Sequence, residues 1–290
     1  MATRFEDFFY TSTDGLKLHA RVYDSSAAAL PAICLPGLTR NSADFHELAL
    51  HLADHPTSPR KVVTFDYRGR GRSAYDPKWQ NYDPVTESGD VLAGLTALGI
   101  EHGAFIGTSR GGLIIMILAA MRPAVLKAAV LNDIGPAVDA AGLVQIRAYL
   151  ERAPRPKTFA EAVEIQRSIA GDAFSALTDA DFERMVRAFY REDNGVPVPD
   201  FDPALLNTLK SVDLSKPLPE LWPQFMGLAD IPVLAIRGAN SSLLSAATFG
   251  EIAKRHPKLT AITVEGQGHA PFLETGDLPE RIADFLAKAE

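Results

Sequence analysis

Four short apolar runs, at residues 32–35, 61–65, 103–106 and 128–131, alternate with stretches of helical periodicity at 44–53, 85–98 and 110–121. Strand followed by helix, repeated, leaves few foldable arrangements: right-handed crossovers, a mostly parallel sheet, and helices on both of its faces. A hairpin signal precedes the series, with strands expected over 8–11 and 16–23 around the turn at Asp14-Gly15. After Asn132 the rhythm breaks. Residues 135–228 contain no convincing buried strand. They hold helical stretches at 141–152, 159–170, 179–190 and 203–209, separated by breaks such as Pro154-Arg155-Pro156 and Pro197-Val198-Pro199. Alternation then resumes, with strands over 233–236 and 261–264 and helices over 246–255 and 278–289. The expected organisation is an α/β core domain made of residues 1–134 and 229–290, with a helical cap subdomain, 135–228, inserted after the sixth strand. Ligands of open α/β sheets bind outside the carboxyl ends of the strands, so a cap there would enclose the site.

The strongest chemical signal lies in Gly107-Thr108-Ser109-Arg110-Gly111, between an expected strand and an expected helix. This G-x-S-x-G pattern puts a serine on a sharp turn that exposes its hydroxyl. The turn needs small neighbours two residues away on either side, and the following helix points its positive end at the reacting centre. A serine hydroxyl is a poor nucleophile until a base takes its proton. Gly266-Gln267-Gly268-His269, after the last strand and before the last helix, supplies an imidazole that titrates in the right range. Leu35-Pro36-Gly37-Leu38-Thr39-Arg40 follows the first parallel strand. It can aim the Leu38 N–H at an oxyanion, with the Arg110 N–H as second donor; the plain alternative is an ordinary strand-ending turn.

Net charge is −7, which leaves no electrostatic footprint for nucleic acid. The longest apolar segment, 113–121, is about half of the roughly 20 residues a membrane-spanning helix needs. Residues 1–10 are charged and aromatic, unlike the apolar stretch of a signal peptide. A soluble, cytoplasmic protein acting on a small-molecule substrate is expected, without nucleic-acid or membrane partners; homo-oligomerisation leaves no readable mark. The single cysteine, Cys34, reads as a buried core residue. No metal or organic cofactor is expected, and His19, His46, His51, His55, His102 and His256 are assigned no role. Gly69, Gly71 and Ala74 satisfy a loose dinucleotide pattern, but Asp76-Pro77-Lys78-Trp79 opens no helix for a pyrophosphate, so the stretch reads as a structural turn.

Pro36-Gly37-Leu38, Asp66-Tyr67-Arg68-Gly69-Arg70-Gly71-Arg72-Ser73, the Ser109 elbow and the Gly268-His269 loop, taken in order, resemble the capped α/β-hydrolase fold superfamily. The resemblance implies an eight-stranded sheet with catalytic residues at the strand ends, and a serine hydrolase of the esterase or lactonase kind. It also implies a third triad member, commonly an Asp in the loop after strand 233–236. Here that loop reads Arg237-Gly238-Ala239-Asn240-Ser241-Ser242-Leu243-Leu244-Ser245 and holds no carboxylate, with Ser242 where the acid is sought. Either Asp133, at the end of strand 128–131, takes the role, or the triad has lost its acid. The reading that results is acyl transfer through Ser109, His269 and Asp133 onto water, with an ester, lactone or amide as substrate. C–C bond hydrolysis by the same serine and a weakly active or receptor-like protein stand as alternatives. Arg40 and Arg110 flank the oxyanion site and Arg147 and Arg167 lie on cap helices; of these, Arg40 and Arg147 are the candidates to bind a substrate carboxylate.

Overall fold

The computed structural model describes residues 4–24 and 28–289. The first residues of the 1–10 segment therefore lie outside the described part. An eight-stranded sheet runs in the order β1-β2-β4-β3-β5-β6-β9-β10. Its strands are β1 (Glu6–Thr11), β2 (Lys17–Tyr23), β3 (Ala32–Leu35), β4 (Val62–Asp66), β5 (Gly103–Thr108), β6 (Leu126–Asn132), β9 (Val233–Gly238) and β10 (Leu259–Val264). β1, β2 and β4 pair antiparallel and every other neighbouring pair is parallel. Helices α1 (His46–Ala53), α2 (Pro84–Ala97), α3 (Arg110–Met121), α9 (Ala246–Arg255) and α10 (Leu278–Lys288) cover the sheet.

Alternation along the strands makes two cores. In β3, Ile33 and Leu35 face a cluster with Ile114 of α3 and Val91 of α2, while Ala32 and Cys34 face another with Leu48 of α1 and Ile282 of α10. Every residue of β3 and β4 is buried, which is why these strands read as unbroken apolar runs rather than alternating ones. Burial pushes the Cys34 thiol up, so it stays protonated and inert.

The segment between β6 and β9 adds no strand to this sheet. It carries α4 (Ala140–Arg152), α5 (Phe159–Ala170), α6 (Asp179–Phe189), α7 (Leu206–Lys210) and α8 (Trp222–Met226). It also forms a hairpin, β7 (Tyr190–Asp193) with β8 (Val196–Pro199), that the sequence reading did not expect. Pro197 and Pro199 argued against a strand there. A two-stranded ribbon is all edge, however, and its partner strand does not need their missing N–H groups. Asn194-Gly195 forms the turn, both residues at positive φ. Phe225 and Leu228 are fully buried in the main core, so the chain has rejoined the body of the molecule before residue 229.

The arginine-rich turn is an internal brace. Arg68, 1% exposed, is held by Asp90 (2.7 Å from both Nε and Nη2), by Asp76 (2.6 Å) and by Asp14 (3.0 Å). Gly71 N donates to Asp200 O and Asp202 N to Gly69 O, docking the inserted segment onto this turn. Removing one member of such a buried cluster leaves charges unpaired in low dielectric, at a cost of about 3–5 kcal/mol. Arg68→Leu is therefore expected to lower the urea-unfolding free energy by about that amount; a loss below about 1 kcal/mol would show that water, not protein, screens the three aspartates.

Candidate active site

β3 leads to β4 on one side while β5 lies on the other, so the chain reverses direction across the sheet between β3 and β5. At that switch point the loops after β3 and β5 must diverge, which opens a crevice. Ser109 stands there with φ 51 and ψ −110, a backbone state that costs a non-glycine residue about 1–3 kcal/mol. Its neighbours show why the turn needs glycine. A Cβ on Gly107 would come within 2.5 Å of Gly111 C, and a Cβ on Gly111 within 2.0 Å of Leu35 O.

The structure brings three of the sequence-derived candidates together. Ser109 Oγ lies 2.9 Å from His269 Nε2, and His269 Nδ1 lies 2.7 Å from Asp133 Oδ2. A carboxylate can only accept, so the Nδ1 position carries the proton and Nε2 is left to accept from the serine hydroxyl. Asp133 is fully buried at φ 54, just past β6. It also accepts from Gly238 N (2.8 Å) and Ser241 Oγ (2.5 Å). The loop after β9 thus supports the acid without providing one. Ser242, which stands where that acid was sought, commits its hydroxyl to Gln145 of α4 at 2.8 Å.

The loop 36–40 sits beside the nucleophile, since a Cβ on Gly37 would lie 4.0 Å from Ser109 Cβ. The N–H groups of Leu38 and Arg110 have no acceptor among the described residues. Both positions are braced by one carboxylate that the sequence reading overlooked. Glu87, fully buried in α2, takes Arg70 Nη1 on one oxygen and Arg110 Nε on the other, each at 2.7 Å. Arg70 Nε in turn donates to Leu38 O at 2.8 Å. Tyr67 Oη adds a bond to Pro36 O at 3.2 Å. Asn132 was missed as well; its Nδ2 donates to Pro271 O (2.8 Å), tying the end of β6 to the His269 loop. Gln267 Oε1 accepts from Phe272 N in the same loop. Polar side chains inside the fold leave no periodic mark in a sequence, so nothing short of coordinates would have singled these out.

The four arginines singled out in the sequence lie in different settings. Arg110 commits its Nε to Glu87 and its Nη2 to Tyr82 O, so these nitrogens are engaged within the protein rather than with a ligand. Arg40 borders the cleft, but it is paired with Asp44 and stacked on the Phe189 ring. Arg147 does not border the cleft, because α4 turns Ile146, Tyr149 and Leu150 inward. Arg167 binds Asp179 instead.

The cleft holds about 2000 Å³ and is lined in part by the inserted segment, with Phe174 edge-on to Phe272 at 6.0 Å. Leu113, Ile134, Val138, Leu143 and Ile146 give it apolar wall. Glu274 borders it too. Burial, reinforced by the nearby Asp44 and Asp181 carboxylates, pushes the Glu274 carboxyl up to about 7. A carboxyl whose folded pKa exceeds its unfolded value keeps its proton longer in the native state, so stability falls as pH rises from about 4.5 to 7. Glu274→Gln removes this liability. It is expected to unfold at a higher temperature than the parent at pH 8, by on the order of 2 kcal/mol in stability, and to match it at pH 4.5. Melting curves at the two pH values check this; equal melting at pH 8 would contradict it.

Comparison with known proteins agrees with this architecture. Residues 32–285 match the alpha/beta hydrolase family. The chain is 31% identical over 251 residues to a 3-hydroxybutyrate-oligomer hydrolase of Cupriavidus necator, covering 82% of each chain. It is 25% identical over 233 residues to a 2-(acetamidomethylene)succinate hydrolase of Mesorhizobium japonicum, covering 80% of this chain and 79% of that one. Among solved structures, an alpha/beta hydrolase from Novosphingobium aromaticivorans superposes with a TM-score of 0.91 at 35% identity, over 99% of this chain and 100% of the other. No helix among the described residues is long and apolar enough to cross a membrane. By its sheet order, its serine elbow and these matches, the chain belongs to the α/β hydrolase family.

Proposed function

We propose that this protein is a serine esterase that works through an acyl-enzyme. The observation that carries the reading is the continuous relay from Ser109 Oγ through His269 to Asp133, at 2.9 and 2.7 Å. Ser109 attacks the ester carbonyl while His269 Nε2 takes its proton, and Asp133 holds the imidazole and stabilises its charge. The Leu38 and Arg110 N–H groups receive the developing oxyanion. The protonated imidazole then donates to the departing alcohol, and water repeats the sequence to release the acid. Glu87 keeps both donors in place by holding Arg70 and Arg110, so that little reorganisation remains at the moment of attack. The inserted segment acts as a cap that shields the reacting centre from bulk water.

The substrate class follows from the walls. Apolar side chains line much of the cleft that holds Ser109, and Arg40 and Arg110 already bond to carboxylates within the protein. A short, largely apolar acyl group fits there. A free carboxylate is better met at the rim, where Arg155 borders the cleft with no ion pair among the described residues. Similarity to a 3-hydroxybutyrate-oligomer hydrolase supports esters between short hydroxy acids as the class. The receptor-like alternative drew on the missing acid after β9, and Asp133 beside His269 withdraws that support.

The test is direct. Release of p-nitrophenolate from p-nitrophenyl butyrate is followed by absorbance, and release of acid from dimers and trimers of 3-hydroxybutyrate by pH-stat titration. Turnover of both kinds is expected. Folded protein that cleaves neither would overturn the esterase reading; turnover of the p-nitrophenyl ester alone would overturn the oligomer assignment.

A further inference from the structure

A second group of chemically competent side chains lies away from the cleft, on the sheet face covered by α1 and α10. His51, on α1, and His55, just past its end, stand four residues apart; Glu280 meets them from the first turn of α10. The two carboxylate oxygens of Glu280 lie 3.3 Å from His51 Nε2 and 3.3 Å from His55 Nε2. One ligand atom from each of the three residues can be chosen so that all lie within 4.8 Å of one another. His51 and His55 border a surface pocket of about 460 Å³, together with Glu47 and Glu274.

We propose that His51, His55 and Glu280 bind a divalent transition-metal ion of the zinc, cobalt or nickel kind. Two imidazole nitrogens and one carboxylate oxygen suit these ions rather than magnesium or calcium, which favour all-oxygen cages. The separations fit as well. Metal–ligand bonds of about 2.0–2.2 Å in a tetrahedral arrangement place neighbouring ligand atoms roughly 3.3–3.5 Å apart. His51 Nε2 stands at that distance from one Glu280 oxygen and His55 Nε2 from the other, long for a hydrogen bond, so a small turn of the exposed carboxylate brings one oxygen toward both. His51 Nε2 is enclosed and makes no hydrogen bond among the described residues.

His55 Nδ1 lies 2.9 Å from Ser58 Oγ. When Nε2 binds a metal, Nδ1–H can donate to that hydroxyl, the outer-sphere contact that fixes a ligating histidine's tautomer. Without metal, Nδ1 can instead accept from Ser58 N at 3.2 Å while Nε2–H faces Glu280. His51 is one-third exposed and Glu280 more than half exposed, so both can close the remaining gap. His51 and His55 line the pocket, from which a water can complete the shell. Because α1 and α10 pack into one core cluster, the ion would clip together two helices far apart in sequence.

The test uses the full, untagged chain stripped of metal and titrated with cobalt(II). The expected result is one ion per chain, with the visible absorption of tetrahedral cobalt, and a melting temperature raised by several degrees in excess zinc. His51→Ala and Glu280→Ala should each weaken cobalt binding at least tenfold while leaving ester turnover and metal-free melting unchanged. His269→Ala should keep the cobalt bands, which separates this site from the catalytic imidazole. Failure to bind one cobalt per chain at millimolar metal, or binding that survives both His51→Ala and Glu280→Ala, would overturn the proposal.

Discussion

Ser109→Ala is expected to lower kcat for p-nitrophenyl esters by about 10⁴-fold or more, with the melting temperature nearly unchanged. The loss is large because the alternative chemistry is poor. Without Oγ, His269 can only activate a water that no element of the site positions, and no acyl-enzyme forms. The fold is spared because alanine adopts the same turn at φ 51 as serine, and because the structural burden falls on Gly107 and Gly111. Residual activity comes from the oxyanion donors, which do not depend on the side chain at 109. Steady-state kinetics on the purified variant, with a melt on the same sample, checks both halves. Turnover within tenfold of the parent would remove Ser109 from the mechanism.

A loss of about 10³–10⁴-fold in kcat is expected for Asp133→Asn, by a different route. The buried Gly238 N–H needs an acceptor, and the side chain at 133 is the one it uses. The asparagine carbonyl therefore stays on Gly238, which turns the NH₂ group toward His269 Nδ1 and Ser241 Oγ. An NH₂ group donates, so Nδ1 must accept and the ring proton moves to Nε2. That tautomer cannot take the proton of Ser109. Activity should recover partly at high pH, where deprotonated serine no longer needs a base. Ser242→Ala is the paired control: its hydroxyl is bonded to Gln145, so kcat should change less than about threefold. A strong loss in Ser242→Ala with little loss in Asp133→Asn would return the third role to the loop after β9.

What could be read in the sequence follows from which constraints are local. The elbow at Ser109 was legible because steric crowding at a sharp turn writes itself as glycines at fixed offsets. β3, β4 and β5 were legible because strands buried on both faces read as short apolar runs. The β7–β8 hairpin was not, since a small ribbon on the surface needs neither a long apolar run nor an unbroken ladder, and its prolines suggested loop. Asp133 could be proposed only as one of two options, because its role depends on β6 and β9 lying side by side in the sheet. Arg40, Arg110 and Arg147 show the same limit from the other side. Their charge was visible, but whether it is free depends on Asp44 and Glu87 and on which face of α4 turns inward. His19, assigned no role from the sequence, is buried between Asp7 and Asp66, a pairing that couples three strands.

The central claim is that the hydroxyl of residue 109 is made nucleophilic by the imidazole of residue 269. A fluorophosphonate probe, which reacts only with an activated serine, measures this most directly when its adduct is mapped by peptide mass spectrometry. The account predicts a single adduct on Ser109, formed at least about 100-fold more slowly in His269→Ala. An adduct on another residue, or labelling of Ser109 at an unchanged rate without His269, would contradict it.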